Sequence, residues 1–141
     1  IKELYEDLGS LKTTKSYAFL DTCFSGGTGR TDKVDTLLEG TRPGVMKVND
    51  ISLAYNNLVI FTATDKNQLS NSYKEQNHGL FTYYMLKGIG GEADKNKDKN
   101  VSLDELQSYI KDNVSRESRK LGQTKEQEPI LKTTIDKNSS I

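Results

Sequence analysis

Residues 16–27 read Ser16-Tyr17-Ala18-Phe19-Leu20-Asp21-Thr22-Cys23-Phe24-Ser25-Gly26-Gly27, an apolar run that breaks into a polar, glycine-rich turn. Residues 16–21 have the length and composition of a short buried strand, and the glycines after Cys23 let backbone approach a ligand closely. A second run, Leu58-Val59-Ile60-Phe61-Thr62-Ala63-Thr64, is continuous and β-branched, and it is the strongest strand candidate in the chain. Helical patterns lie around these two runs. Ile1, Leu4, Tyr5 and Leu8 recur at helical spacing, with Gly9 as the expected stop. Leu80, Phe81, Tyr84 and Met85 share one face of a helix over 80–86, closed by Gly88, Gly90 and Gly91. Ser102-x-x-Glu105 forms a capping box ahead of the stripe Leu106, Ile110 and Val114, and Gly122 supplies the terminator. Pro129-Ile130-Leu131 reads as a last strand. Apolar strands alternating with helices predict an α/β sandwich around a mostly parallel sheet.

The 141 residues suit one domain, 1–141. Twenty basic residues balance twenty acidic ones, so no net field exists to hold nucleic acid or an anionic membrane. Only 33% of residues are apolar, which predicts a small core, and no apolar run approaches the ~20 residues of a membrane span. A single Cys excludes an internal disulfide framework and Cys-rich zinc sites. No targeting signal is visible in this stretch, so the sequence assigns no compartment. Residues 26–50 are rich in Gly, Thr, Asp and basic side chains, and they read as a long flexible loop of the kind that is commonly functional.

Cys23 is where chemistry is expected, because ligands in open α/β sheets gather at the carboxyl ends of strands. A lone Cys is also often a small buried hydrophobe, and position alone leaves both readings open. A free thiol is mostly protonated at neutral pH, so a nucleophile needs a base. The only histidine, His78, either meets Cys23 across the sheet end or starts the following helix together with Gly79.

The segment Tyr17 to Gly27 resembles the strand and nucleophile turn of caspase-like cysteine peptidases, most like the bacterial and metacaspase branch with Asp-x-Cys-x-Ser-Gly. Three later segments are similar to the same family in the same order: Thr62-Ala63-Thr64 with Gln68 and Ser70, then His78-Gly79-Leu80-Phe81-Thr82-Tyr83-Tyr84, then Glu128-Pro129-Ile130-Leu131. The resemblance implies the caspase-like three-layer sandwich and a Cys23 thiolate that attacks a peptide carbonyl to give an acyl-enzyme. It places the catalytic His upstream of the Cys, roughly 50 residues away in the caspase signature. Only 22 residues precede Cys23 and none is His. The expectation is therefore a carboxyl-terminal portion of a peptidase domain, partnered by an amino-terminal segment that carries the catalytic His. The same reasoning makes His78 a helix start and not the base.

Asp21 and Cys23 stand two apart on extended chain, on one face and about 6–7 Å apart at ~3.3 Å per residue. A carboxylate there works against a thiolate unless a cation arrives with the substrate. The resemblance implies that Asp21 receives Arg or Lys at P1, with Gln68 and Ser70 near the substrate cleft by family position. The alternative is a strand-end cap that satisfies loop amides. Arg30, Lys33, Arg42 and Lys47 are then basic bonds near the thiol and candidate self-cleavage sites, or else parts of a solvated linker.

Residues 94–105, Asp94-Lys95-Asn96-Lys97-Asp98-Lys99-Asn100-Val101-Ser102-Leu103-Asp104-Glu105, match the twelve-residue EF-hand loop at several ligand positions. Asp94, Asn96, Asp98, Asn100 and Glu105 are the candidate calcium ligands. Lys99 stands where Gly is usual, and a left-handed turn there costs about 1–2 kcal/mol. The competing reading is a structural turn, since the capping box already accounts for Glu105. No cofactor is required by the cysteine mechanism, and calcium is the one metal the pattern admits. The function expected is a cysteine endopeptidase acting on polypeptides after basic residues. Its rivals are an inactive caspase-like scaffold and a small calcium-binding module.

Overall fold

The computed structural model describes residues 2–21, 54–64, 68, 70–73, 77–122 and 125–141. Helix α1 (Lys2–Ser10) leads into strand β1 (Ser16–Leu20), and strand β2 (Leu58–Thr62) follows after the undescribed residues. A small hairpin of β3 (Ser72–Tyr73) and β4 (His78–Gly79) runs directly into helix α2 (Leu80–Lys87). A π-helical turn over Gly88–Glu92 ends α2, the long helix α3 (Leu103–Lys120) comes next, and strand β5 (Ile130–Thr133) closes the order.

The main sheet has the order β1-β2-β5, with β1 parallel to β2 and β5 antiparallel to it. Every residue of β2 is buried, as expected of a central strand covered on both faces. The twofold alternation of a strand sorts its side chains. Leu58 and Ile60 pack with Tyr5 of α1 and Ala18 of β1. Val59 and Phe61 face the opposite layer, where Leu80, Phe81 and Tyr84 of α2 meet Leu103, Leu106, Ile110 and Val114 of α3. The result is helix, sheet, helices, the α/β sandwich the sequence predicts. On the α2–α3 side Phe19 of β1 stacks on Phe61 at 5.3 Å between ring centroids and lies 6.2 Å from Tyr17.

Three local expectations change. Gly9 does not end α1, which runs on to Ser10. A Cβ at Gly9 would stand 2.2 Å from the Tyr55 ring, so the residue is small to admit that ring. The polar stretch before His78 also contains the β3–β4 hairpin, too short to leave a periodic pattern. Gly88 and Gly90 do not stop the helix either, since both lie within the π-helical turn, whereas the signals that bound α3 hold. Ser102 caps α3 with Glu105 in a reciprocal box, and Gly122 takes the left-handed φ of 133° just past its end.

Candidate active site

β1 ends at Leu20 and Asp21 continues the chain at its carboxyl end. Alternation along β1 turns Tyr17 and Phe19 toward the α2–α3 layer, and Asp21, two further on, meets residues of that same layer. Its carboxylate is gripped on both oxygens. The Ser70 hydroxyl donates to Oδ1 at 2.5 Å, and the Thr82 hydroxyl, from the first turn of α2, donates to Oδ2 at 2.5 Å. Gly79, buried at the head of α2, leaves the space in which the carboxylate sits. A Cβ there would lie 2.0 Å from Asp21 Oδ2. An ionised carboxylate offers about four acceptor positions, so two hydroxyl donors leave capacity on each oxygen for a further donor. Among the described residues the donors to Asp21 are the Ser70 and Thr82 hydroxyls; the loop amides of the capping alternative lie outside them.

Ser70 is positioned through its neighbour. The Asn71 backbone N–H donates to Gln127 Oε1 at 2.8 Å, and the Asn71 amide donates to the same oxygen at 3.0 Å and to the Lys125 carbonyl at 2.7 Å. Gln127 is fully buried and donates through Nε2 to the Ala63 carbonyl beyond β2 at 3.0 Å. Its backbone is held by α3: its N–H donates to Ser118 Oγ, and its carbonyl accepts from Ser115 Oγ. One residue thus ties the end of β2 and the 70–71 segment, through its side chain, to α3, through its backbone, and the side chain's donor and acceptor are both satisfied. Gln68 sits on the rim of the same network, its Oε1 accepting from the Glu128 N–H at 2.7 Å. The sequence reading had grouped Asp21, Gln68 and Ser70; Ser70 touches Asp21, while Gln68 tethers the segment leading to β5.

Cys23, the loop over 26–50 and its basic residues Arg30, Lys33, Arg42 and Lys47 lie outside the described residues. His78 is exposed and pairs with Tyr73 in the hairpin, so it is a strand residue that precedes the helix and not its first turn. Thr82, Gly79 and Gln127 were not singled out from sequence as site residues. The first two lay inside a quoted motif, but nothing in one dimension marks a threonine as a carboxylate's partner.

The 94–105 loop adopts the left-handed turn that the EF-hand pattern demands at Lys99, with φ 69°. Its oxygens, however, address its own amides. Asp94 accepts from the N–H groups of Asp98 and Lys99, Asn96 Oδ1 accepts from Asp98, and Asp98 Oδ1 accepts from Asn100. Glu105 Oε1 accepts from the Lys95 and Asn96 amides, and Oε2 from the Ser102 N–H and hydroxyl. Led by the Ser102 backbone bond, these hold the Glu105 carboxyl below the usual carboxylate range. Among the described residues no cluster of three or more His, Cys, Asp or Glu is arranged to hold a metal ion. A bidentate grip by Glu105 on calcium would require it to release those amides.

No curated protein matches the sequence significantly. A family model described as the caspase domain matches residues 4–139, nearly all of the chain.

Proposed function

The chain belongs to the caspase-like cysteine peptidase family, and on that premise we propose that it cuts polypeptides after Arg or Lys, with Cys23 as nucleophile and Asp21 as the P1 carboxylate. The observation that supports this most is the fixed anion at the carboxyl end of β1. Asp21 stands two residues before the cysteine, and each of its oxygens accepts from a hydroxyl on a separate segment. A basic P1 side chain would supply a countercharge and carry the scissile carbonyl toward the thiol. The attacking thiolate would form an acyl-enzyme, release the amine product and be freed by water. The proton acceptor in this reading is a histidine upstream of Cys23 in an amino-terminal segment of the same domain, as the family resemblance implies.

Replacing Asp21 by Asn should abolish turnover of Arg-P1 peptides in the full-length polypeptide while leaving alkylation of Cys23 by iodoacetamide intact. Undiminished Arg-P1 cleavage would remove the pocket assignment. A peptide electrophile with Arg at P1 should label Cys23 far faster than a plain alkylator, whereas equal rates would favour the inactive scaffold. Arg30, Lys33, Arg42 and Lys47 are proposed self-cleavage bonds. Mass spectrometry should find fragments ending at one or more of them in the wild type and intact chain in Cys23→Ala; identical fragment sets would mean no self-processing.

A further inference from the structure

We propose that Thr82 is a positioning residue that sets P1 selectivity, favouring a guanidinium over an ammonium by fixing the plane of the Asp21 carboxylate. The inference rests on Asp21 being the P1 carboxylate and asks what its surroundings do to the choice of cation. The terminal torsion of an aspartate is soft and broad, so a carboxylate held at one oxygen only can turn about that contact. Here two hydroxyls from separate elements hold opposite oxygens, Ser70 on Oδ1 and Thr82 on Oδ2. Gly79 lies against Oδ2, where any side chain would intrude. Rotation of the carboxylate would break one hydroxyl bond and press Oδ2 toward the α2 backbone.

The two cations use such an anion differently. A guanidinium is a planar fork that needs both oxygens in a defined plane, whereas an ammonium is a compact point charge served by either oxygen in many orientations. A pinned plane therefore helps arginine more than lysine. Ser70 adjoins Asn71, which the Gln127 network holds, and Thr82 is carried by the first turn of α2.

The test compares matched peptides with Arg or Lys at P1 on the full-length polypeptide, for wild type, Thr82→Val, Thr82→Ser and Asp21→Asn. Valine keeps the branched shape and removes the donor; serine keeps the donor. Thr82→Val should lower kcat/KM on the Arg peptide about ten-fold, chiefly through KM, and affect the Lys peptide much less, so the Arg-to-Lys ratio falls. Thr82→Ser should restore the wild-type ratio. Iodoacetamide should alkylate Cys23 at one rate in wild type, Thr82→Val and Thr82→Ser, which separates a selectivity effect from general damage. An unchanged ratio in Thr82→Val, or equal losses in the Val and Ser variants, would overturn the role of Thr82. If Asp21→Asn abolishes Arg-P1 cleavage in the same series, that failure belongs to Thr82 alone. If Asp21→Asn keeps full activity, the P1 carboxylate falls and this inference with it.

Discussion

Gly79 has backbone angles of φ −64° and ψ 144°, which any L-residue adopts without strain. What it lacks is room for a side chain, because Asp21 Oδ2 occupies the place a Cβ would take. The conflict is local and must be relieved by moving either the helix start or the carboxylate. The carboxylate is the softer of the two. Gly79→Ala should therefore leave the protein folded, with a modest fall in Tm, and lower kcat/KM on Arg-P1 peptides by about a hundred-fold, the usual consequence of misplacing a binding group by an ångström. Steady-state kinetics beside a thermal melt would check it; full activity would mean that the carboxylate position does not matter to turnover.

Helix α3 shows how an element's end is built and how it should respond to pH. Glu105 closes the capping box with Ser102 and also gathers the Lys95 and Asn96 amides, so one carboxylate organises both the helix start and the loop before it. These bonds favour the ionised form, and its folded value lies below the ordinary one. The stabilisation is then fully present above the ordinary carboxylate range and is lost as pH falls through the lowered folded value. Wild type should melt above Glu105→Gln at neutral pH, and the gap should narrow steadily into acid. A gap that is constant down to pH 3 (about one unit below a normal glutamate) would mean the charge contributes nothing.

Gln127 fastens several parts of the fold to one another. It reaches Ala63 after the central strand, Asn71 in the cleft segment and, through its backbone, Ser115 and Ser118 of α3. Truncation to Ala would leave a buried N–H and a buried carbonyl without partners, at about 1–3 kcal/mol each. Gln127→Ala should accordingly lower unfolding free energy in urea by about 2–4 kcal/mol, and it should loosen Ser70 enough to raise KM for basic peptides. A variant as stable as wild type would remove Gln127 from this role. The cleft segment and α3 are thus joined through this one residue. Among the described residues no helix is long and apolar enough to cross a membrane.

Much of this architecture is written in short-range pattern. The continuous apolar run 58–64 requires a strand covered on both sides, Ser102-x-x-Glu105 requires a helix start, and Gly122 requires its end; each is a contest among neighbouring residues, so each is readable along the chain. The family follows the same way, from motifs that keep their order. Gly9 misled because a glycine looks alike whether it breaks a helix or yields to the Tyr55 ring. The grip on Asp21 is of another kind. Ser70 is 49 residues from it and Thr82 is 61, and no spacing rule joins positions so far apart. Their meeting exists because β1 and β2 pair in parallel and α2 packs over the face that carries Phe19 and Phe61, which is a matter of long-range burial, not of local preference.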